Sequence, residues 1–323
     1  MIVRAAPDAV VIGICTYQRP SVADTLASLA RLALPTNPLS ILVADNDVTP
    51  SAQQLVARIA ATHPLPLHYL HAPARNISVA RNAILQASRQ ADAHYLAFLD
   101  DDELAHPGWL NALLKRQAAT AAEAVVGPVR ARYCPEAPRW MQAAAVHDMR
   151  LDPGKDGFLG QGHTANVLLD LTAPALLGLC FDPDRGRTGG EDTAFFHKLL
   201  LAGGRVAWAP DAVVEETVPR ERASLGWLLR RRYRMGQTHG SLIGDDKKPH
   251  SRLIAMALAG AKVVACLGMA GLRFLNTEGR NRALMRGALH TGVVAELVGL
   301  DRIEPYGDGT SMRKTQAPEG QVR

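Results

Sequence analysis

The chain has 323 residues, 47% of them hydrophobic and only 5% aromatic, with a formal net charge of +5. That length suits one large domain with an appendage, or two domains, and the apolar share is too high for disorder. Cys15, Cys134, Cys180 and Cys266 form no CxxC pair, which excludes a zinc ribbon and reads as buried thiols in a reducing compartment. No zinc finger, RNP-type aromatic motif or helix-turn-helix pattern marks a nucleic-acid binder. Val10–Cys15 is too short for the apolar core of a signal peptide.

Strands and helices alternate from the start. Ala9–Cys15 is an apolar strand, and Ser21–Leu34 is a helix with Val22, Leu26 and Leu29 on one face. Ser40–Ala44 is a second strand, Pro50–Ala61 a second helix and Leu67–Leu70 a short third strand. Ser78 caps a helix running to Arg89. Tyr95–Leu99 is the fourth strand. This rhythm predicts an α/β fold with a parallel, doubly wound sheet. After Trp109 the pattern loosens: Ala124–Tyr133 and Thr164–Asp170 read as strands, separated by a Pro- and Gly-bearing segment suited to binding loops.

The fourth strand runs straight into Asp100-Asp101-Asp102-Glu103. Four adjacent acids at a strand end repel one another and cost stability if left unpaired in a crevice. A divalent cation relieves that cost. Hard oxygen ligands suit Mg²⁺ or Mn²⁺, and a metal held by few carboxylates shares its coordination with a phosphate. The plainer alternative is a solvated acidic turn before Pro107. The first strand leads to Thr16-Tyr17-Gln18-Arg19 and the second to Asp45-Asn46-Asp47. Such residues are often turn formers, yet three polar strand ends would open on one crevice. No GxGxxG or GxxxxGK[ST] loop is present, so metal and Arg would hold any phosphates.

With VIGICTYQRP at Val11–Pro20, ILVADND, NISVARN at Asn76–Asn82, FLDDDE at Phe98–Glu103 and GGEDTAFF at Gly189–Phe196, the chain resembles family 2 glycosyltransferases of the GT-A fold, in the bacterial succinoglycan-type exopolysaccharide branch. The likeness spans about residues 9–240. It implies a Rossmann-like, mostly parallel sheet flanked by helices. By the same resemblance Thr16, Tyr17 and Arg19 would line the nucleotide pocket, and Asp45 would bind the uracil. Arg81 would sit beside the acids or the diphosphate. Asp100 and Asp102 would be the DxD pair that holds metal and ribose, with Asp101 an alternative in either role. Thr164 and Asn166 match a segment near the donor sugar, their other reading being a polar loop entering a strand. His163 alone marks no metal site.

Gly189-Gly190-Glu191-Asp192 precedes Phe195, Phe196, Leu199 and Leu200 at helical spacing, so the two acids sit at a helix N-terminus. An acid there is also a good cap and dipole partner. The resemblance makes Asp192 the general base that deprotonates an acceptor hydroxyl, with Glu191 positioning acceptor or base. One displacement opposite the diphosphate inverts the sugar. Many relatives carry a His after the base, where it can reach the metal; Val213-Val214-Glu215-Glu216 stands there, and Glu216 is its candidate substitute. Arg231 and Arg232, on an expected helix, could grip a diphosphate or form a solvated basic face.

Residues 219–323 carry 18 Lys+Arg and 9 Asp+Glu, a balance of +9; the remaining 18 and 22 give residues 1–218 a balance of −4. Leu253–Leu272 is apolar except for Lys262, and Leu284–Leu300 reads as a second helix. A central Lys makes a span costly, so these helices are expected to lie on an anionic membrane surface. A soluble helical cap, a homodimer interface or a true span are the alternatives. The expected organisation is a transferase domain over 1–240, a helical region over 241–305 and a disordered tail over 306–323. The expected enzyme takes a UDP-sugar as donor. It transfers a hexose such as glucose to a lipid-linked oligosaccharide or polysaccharide at the cytoplasmic face of the plasma membrane. A donor such as dTDP-rhamnose, or a non-catalytic nucleotide- or polysaccharide-binding module of the same fold, is the competing reading.

Overall fold

The computed structural model describes residues 8–246 and 249–303, without the side chains of 244–246, 249 and 250. The tail expected over 306–323 lies outside the described residues. In chain order the first half contains β1 (Val10–Thr16), α1 (Val22–Leu29), β2 (Leu39–Asp45), α2 (Gln53–Ala60), β3 (Leu67–His71), α3 (Ile77–Gln90), β4 (Tyr95–Asp100), β5 (Glu103–Ala105) and α4 (Trp109–Thr120). It continues with β6 (Ala124–Val126), β7 (Val129–Tyr133), α5 (Arg139–Ala143), β8 (Asn166–Asp170), α6 (Glu191–Leu201), β9 (Val206–Trp208) and β10 (Val214–Val218). Three helices follow: α7 (Leu225–Asp246), α8 (Pro249–Leu272) and α9 (Thr277–Leu297).

Among the described residues the main sheet has the order β3-β2-β1-β4-β8-β6-β9, and a smaller one the order β5-β10-β7. Strands β1 to β4 are parallel, while β8 runs antiparallel to β4 and β6. The sheet is thus mixed, parallel only in its first half and at β6–β9. Alternation along β1 feeds two cores. Val10, Ile12 and Ile14 join α1 and α4 on one face, and Val11 joins α3 and α6 on the other.

Several expectations move. The stretch Ala124–Tyr133 is two strands in two sheets, broken at Gly127-Pro128, because Pro lacks the N–H a ladder needs. The cap of α3 is Asn76, whose side chain accepts from the Ser78 and Val79 amides; Ser78 lies inside the helix. The last helix begins at Thr277, earlier than its apolar pattern suggests, because Asn276 caps it by accepting from the Gly279 amide. Residue 240 falls inside α7. Only Cys266 of the four thiols is buried, and Cys180 is exposed.

Buried Asn166 ties the two sheets together. Its Oδ1 accepts from Trp109 Nε1 at 2.8 Å, and its Nδ2 donates to the carbonyls of Pro128 at 3.0 Å and Ala212 at 2.7 Å. Helix α7 lies against α9 at near backbone contact: a Cβ on Gly236 would stand 1.9 Å from the Leu289 carbonyl oxygen, and one on Gly292 1.9 Å from that of Tyr233. Replacing Asn166 with Ala leaves three buried polar groups without this partner, at about 1–3 kcal/mol each. We expect Asn166→Ala to destabilise the protein by about 3 kcal/mol or more in denaturant unfolding.

Candidate active site

Parallel register brings the polar strand ends to one edge. Thr16 stands beside Asp45, and Cys15 beside Asp100. The turn after β4 then sorts the three aspartates. Asp101 turns inward: it accepts from Thr16 Oγ1 at 2.8 Å and from Arg19 Nη1 at 3.0 Å. Asp100 and Asp102 stay open, with side chains 41% and 24% exposed. Arg19 also donates to Asp102 Oδ2 at 2.6 Å.

The second acidic motif is brought to the first by Arg81. From α3 its Nη1 donates to Glu191 Oε1, and its Nη2 lies 3.5 Å from Asp100 Oδ1. Gly189 and Gly190 adopt φ of 82° and 87°, a region open chiefly to glycine, and turn the chain into α6. A Cβ on Gly190 would stand 2.2 Å from Thr238 Cγ2, so α7 is seated against this turn. Asp192 is half-buried, and its Oδ1 accepts from the Thr193 amide at 2.6 Å and from Thr193 Oγ1 at 3.2 Å.

The small sheet supplies a third group. Glu216 on β10 pairs in register with Glu103 on β5. Arg222 Nη1 donates to Glu216 Oε1 at 2.7 Å, and its Nη2 lies 4.0 Å from Asp102 Oδ2. Glu103 accepts from the Asp100 amide at 3.0 Å. Arg222 carries no motif that sequence reasoning could use, since it lies in a turn after a strand.

Burial raises the carboxyl pKa of Asp100, Asp101, Glu103, Glu191 and Glu216, with acidic neighbours adding to the rise. Asp101 is pushed up to about 6. The half-buried Cys15 thiol is pushed up to about 12, chiefly by desolvation with these acids adding to it, and stays protonated. His163 is driven the other way, down to about 4, by burial; Asp192 opposes that fall and Arg81 adds to it.

Other expected site residues fall elsewhere. The Asp45 carboxylate is fully buried and accepts from Tyr69 Oη at 2.9 Å and from the Asp47 and Ala52 amides at 3.1 and 2.8 Å. These bonds anchor the turn after β2. Asn166 is spent on the sheet tie. Thr164 is buried, and its Oγ1 has no hydrogen-bond partner among the described residues. Tyr17 is 37% exposed, with the Arg75 guanidinium 5.9 Å from its ring centroid. Arg231 lies over Trp227 and within electrostatic reach of Glu216.

Asp100, Asp101, Asp102, Glu103, Glu191 and Glu216 outnumber the guanidiniums that touch them, those of Arg19, Arg81 and Arg222. Among the described residues no three metal-ligating side chains converge, so the protein alone builds no cage. The hard, anionic oxygens of Asp100 and Asp102 nevertheless suit Mn²⁺ or Mg²⁺, which need only one or two carboxylates when phosphates complete the shell.

The raised Asp101 carboxyl makes a pH prediction for metal-free protein. Below about pH 4 the group is protonated in folded and unfolded chains alike. Between about 4 and 6 only the unfolded chain loses the proton, and above 6 the folded state carries the full cost. The step is about 3 kcal/mol, at ~1.4 per pH unit. With chelator present, the stability of Asp101→Asn relative to wild type should therefore rise by about that amount from pH 4 to 7. A flat difference between the two unfolding curves would refute the buried-acid account.

A family model described as Glycosyl transferase family 2 matches residues 11–171. The chain is 46% identical over 297 residues to the succinoglycan biosynthesis protein ExoM of Rhizobium meliloti (strain 1021), covering 92% of this chain and 95% of that protein. Among solved structures it is similar to the mannosyltransferase PcManGT from Pyrobaculum calidifontis in complex with GDP-Man and Mn²⁺. That match has a TM-score of 0.64 and 24% identity, covering 91% of this chain and 89% of the other. With its GT-A sheet and two acidic motifs, the chain belongs to glycosyl transferase family 2 and is a glycosyltransferase.

Proposed function

We propose that this enzyme transfers a hexose, such as glucose, from a UDP-sugar to a hydroxyl of a lipid-linked or polysaccharide acceptor, with inversion, in bacterial surface polysaccharide synthesis. The observation that carries this reading is the Arg81 bridge between Asp100 and Glu191, which sets a diphosphate-side motif beside a base-side motif. Similarity to a succinoglycan biosynthesis protein supports the acceptor class.

Thr16, Tyr17 and Arg19 border the nucleotide, with Tyr17 offering an exposed ring to the base. A divalent cation at Asp100 and Asp102, Mn²⁺ or Mg²⁺, would offset the charge of the departing diphosphate. Asp192 Oδ1 is engaged by Thr193, so Oδ2 takes the acceptor proton. The freed oxygen bonds to the anomeric carbon as the bond to the diphosphate breaks on the opposite face, its electron pair leaving with the phosphate. Arg81 holds Glu191 in place, and Glu191 in turn fixes the start of α6. Glu216, locked to Arg222, stands where relatives carry a His and shapes the charge around Asp102.

Helix α8 supports a place at the membrane. The segment Ser251–Leu272 is long and apolar enough to cross a bilayer, and only 17% of its most apolar window is buried against the protein. A core helix would be covered; this one exposes Leu253, Ile254, Leu258, Val264 and Leu267. With Lys262 at its middle, we read it as lying on the anionic inner face of the plasma membrane.

Two experiments test this. Calorimetry should find UDP bound with Mn²⁺ and hardly at all with chelator. Asp192→Asn should keep that binding and the melting temperature while losing on the order of 10²–10⁴-fold in transfer rate. Near-wild-type turnover by Asp192→Asn would move the base to another acid. Separately, the full-length protein should float with phosphatidylglycerol liposomes and be released by alkaline carbonate. Protein left at the bottom of the gradient contradicts surface binding, and resistance to carbonate indicates a span.

A further inference from the structure

A small cleft opens where α7, the chain leading into Gly189 and the chain following α9 meet, and it encloses about 210 Å³. Sites for drug-sized ligands run to about 300–1,000 Å³, so this one suits a small group. Arg185, Arg234 and Arg302 line it, each from a different segment, together with the hydroxyl-bearing Thr188 and Thr238. Among the described residues no carboxylate lines it. Where the crevice around Asp100 gathers acids, this cleft gathers cations.

Its walls are fixed. Gln237 on α7 clamps the chain after α9: Nε2 donates to the Asp301 carbonyl at 3.0 Å, and Oε1 accepts from the Ile303 amide at 3.2 Å. Arg302, between those two residues, donates from Nε to Glu296 Oε2 at 2.9 Å. Arg185 Nη1 donates to Ser241 Oγ at 2.7 Å, and its Nε lies 3.6 Å from Asp182 Oδ2. Two of the three arginines thus have an acid. The guanidinium of Arg234 has neither hydrogen bond nor ion pair among the described residues. It lies against Gly189, with Nη1 2.9 Å from where a Cβ on that residue would stand. Three like charges gathered around two acids repel one another, and a bound anion offsets that cost.

We propose that this cleft binds a phosphate or diphosphate group other than the donor's. Guanidinium forks from three segments, with hydroxyls between them, match the tetrahedral set of phosphate oxygens, whereas a carboxylate offers only two oxygens in one plane. Gly189 precedes Asp192 by three residues, at most about 11 Å of chain. An anion here therefore bears on the turn that sets the proposed base. The proposal goes beyond the glycosyl-transfer reading and does not depend on it. Two sources supply the same chemistry: a soluble phosphate or diphosphate, and the headgroup of an acidic lipid, since α7 leads into α8.

The test is calorimetry on the full-length protein at low salt with chelator present, using inorganic phosphate and inorganic pyrophosphate as probes. Chelator removes the metal on which phosphate binding at Asp100 and Asp102 is expected to depend. We expect pyrophosphate to bind, and Arg234→Gln to weaken it by about tenfold or more. Arg234→Lys keeps the charge but not the fork and should fall between the two. UDP affinity with Mn²⁺ should stay within about twofold of wild type in both variants. Phosphatidylglycerol vesicles that displace pyrophosphate from the wild type identify a headgroup as the source, and vesicles that leave it bound identify a soluble one. Absence of binding of either ion by wild type, or equal binding by Arg234→Gln, would overturn the inference while leaving UDP binding intact. Loss of UDP binding alone would sink the glycosyl-transfer reading and leave this one standing. If Arg234→Gln does not fold, Arg302→Gln is read by the same ratio.

Discussion

The site depends on one buried guanidinium. Arg81 reaches from α3 to Asp100 at the end of β4 and to Glu191 at the start of α6, and only a few per cent of it is exposed. A charge so buried is tolerable because acids surround it, and removing one partner of such a pair costs about 3–5 kcal/mol. Its own helix does the same work by other means. Asn76 Nδ2 donates to the Pro183 carbonyl, Ser78 Oγ to that of Asp182, and Asn82 exchanges two hydrogen bonds with Phe181. The polar side of NISVARN is therefore a strip that holds residues 181–191 in place. Without it the second acidic motif would have no fixed relation to the first.

That arrangement puts more carboxylates in one crevice than its arginines can neutralise. Burial lifts the proton affinity of most of them, so the ligand-free site is under electrostatic strain. Arg19 and Arg222 share Asp102 and relieve part of it. Both are surface-side residues, able to exchange an acid for a phosphate, while Arg81 is not. The crevice thus has a fixed interior cation and two outer cations within reach of an incoming anion.

Much of this was legible in the sequence, for reasons that differ by element. β1, β2 and β4 are short apolar runs ending in polar residues, and such runs pair in parallel at a shared edge. The triple aspartate was legible as a cluster but not in its register, because which acid turns inward depends on the turn after β4 and on Thr16 of the neighbouring strand. Asp45 and Asn166 show why a strand end is ambiguous. A polar residue at a strand end looks the same whether it faces a ligand or satisfies backbone groups of a turn, and only tertiary contacts distinguish the two. Ser78 lost the cap to Asn76 because either residue suits the role and the helix start is set by the loop it must grip.

The seating of Thr238 against Gly190 has a consequence for scale. From Thr238 to the end of α7 at Asp246 is about 12 Å of helix, at 1.5 Å per residue. A helical segment of that length leads from the turn before Asp192 to the end of α7. Were α8 to lie on lipid as proposed, this segment would fix the height of Asp192 above the headgroups. A glycan chain anchored in that membrane would then have to be long enough to span the gap before its terminal hydroxyl could react. Chain length would be read by distance alone, in addition to any recognition of the sugars themselves.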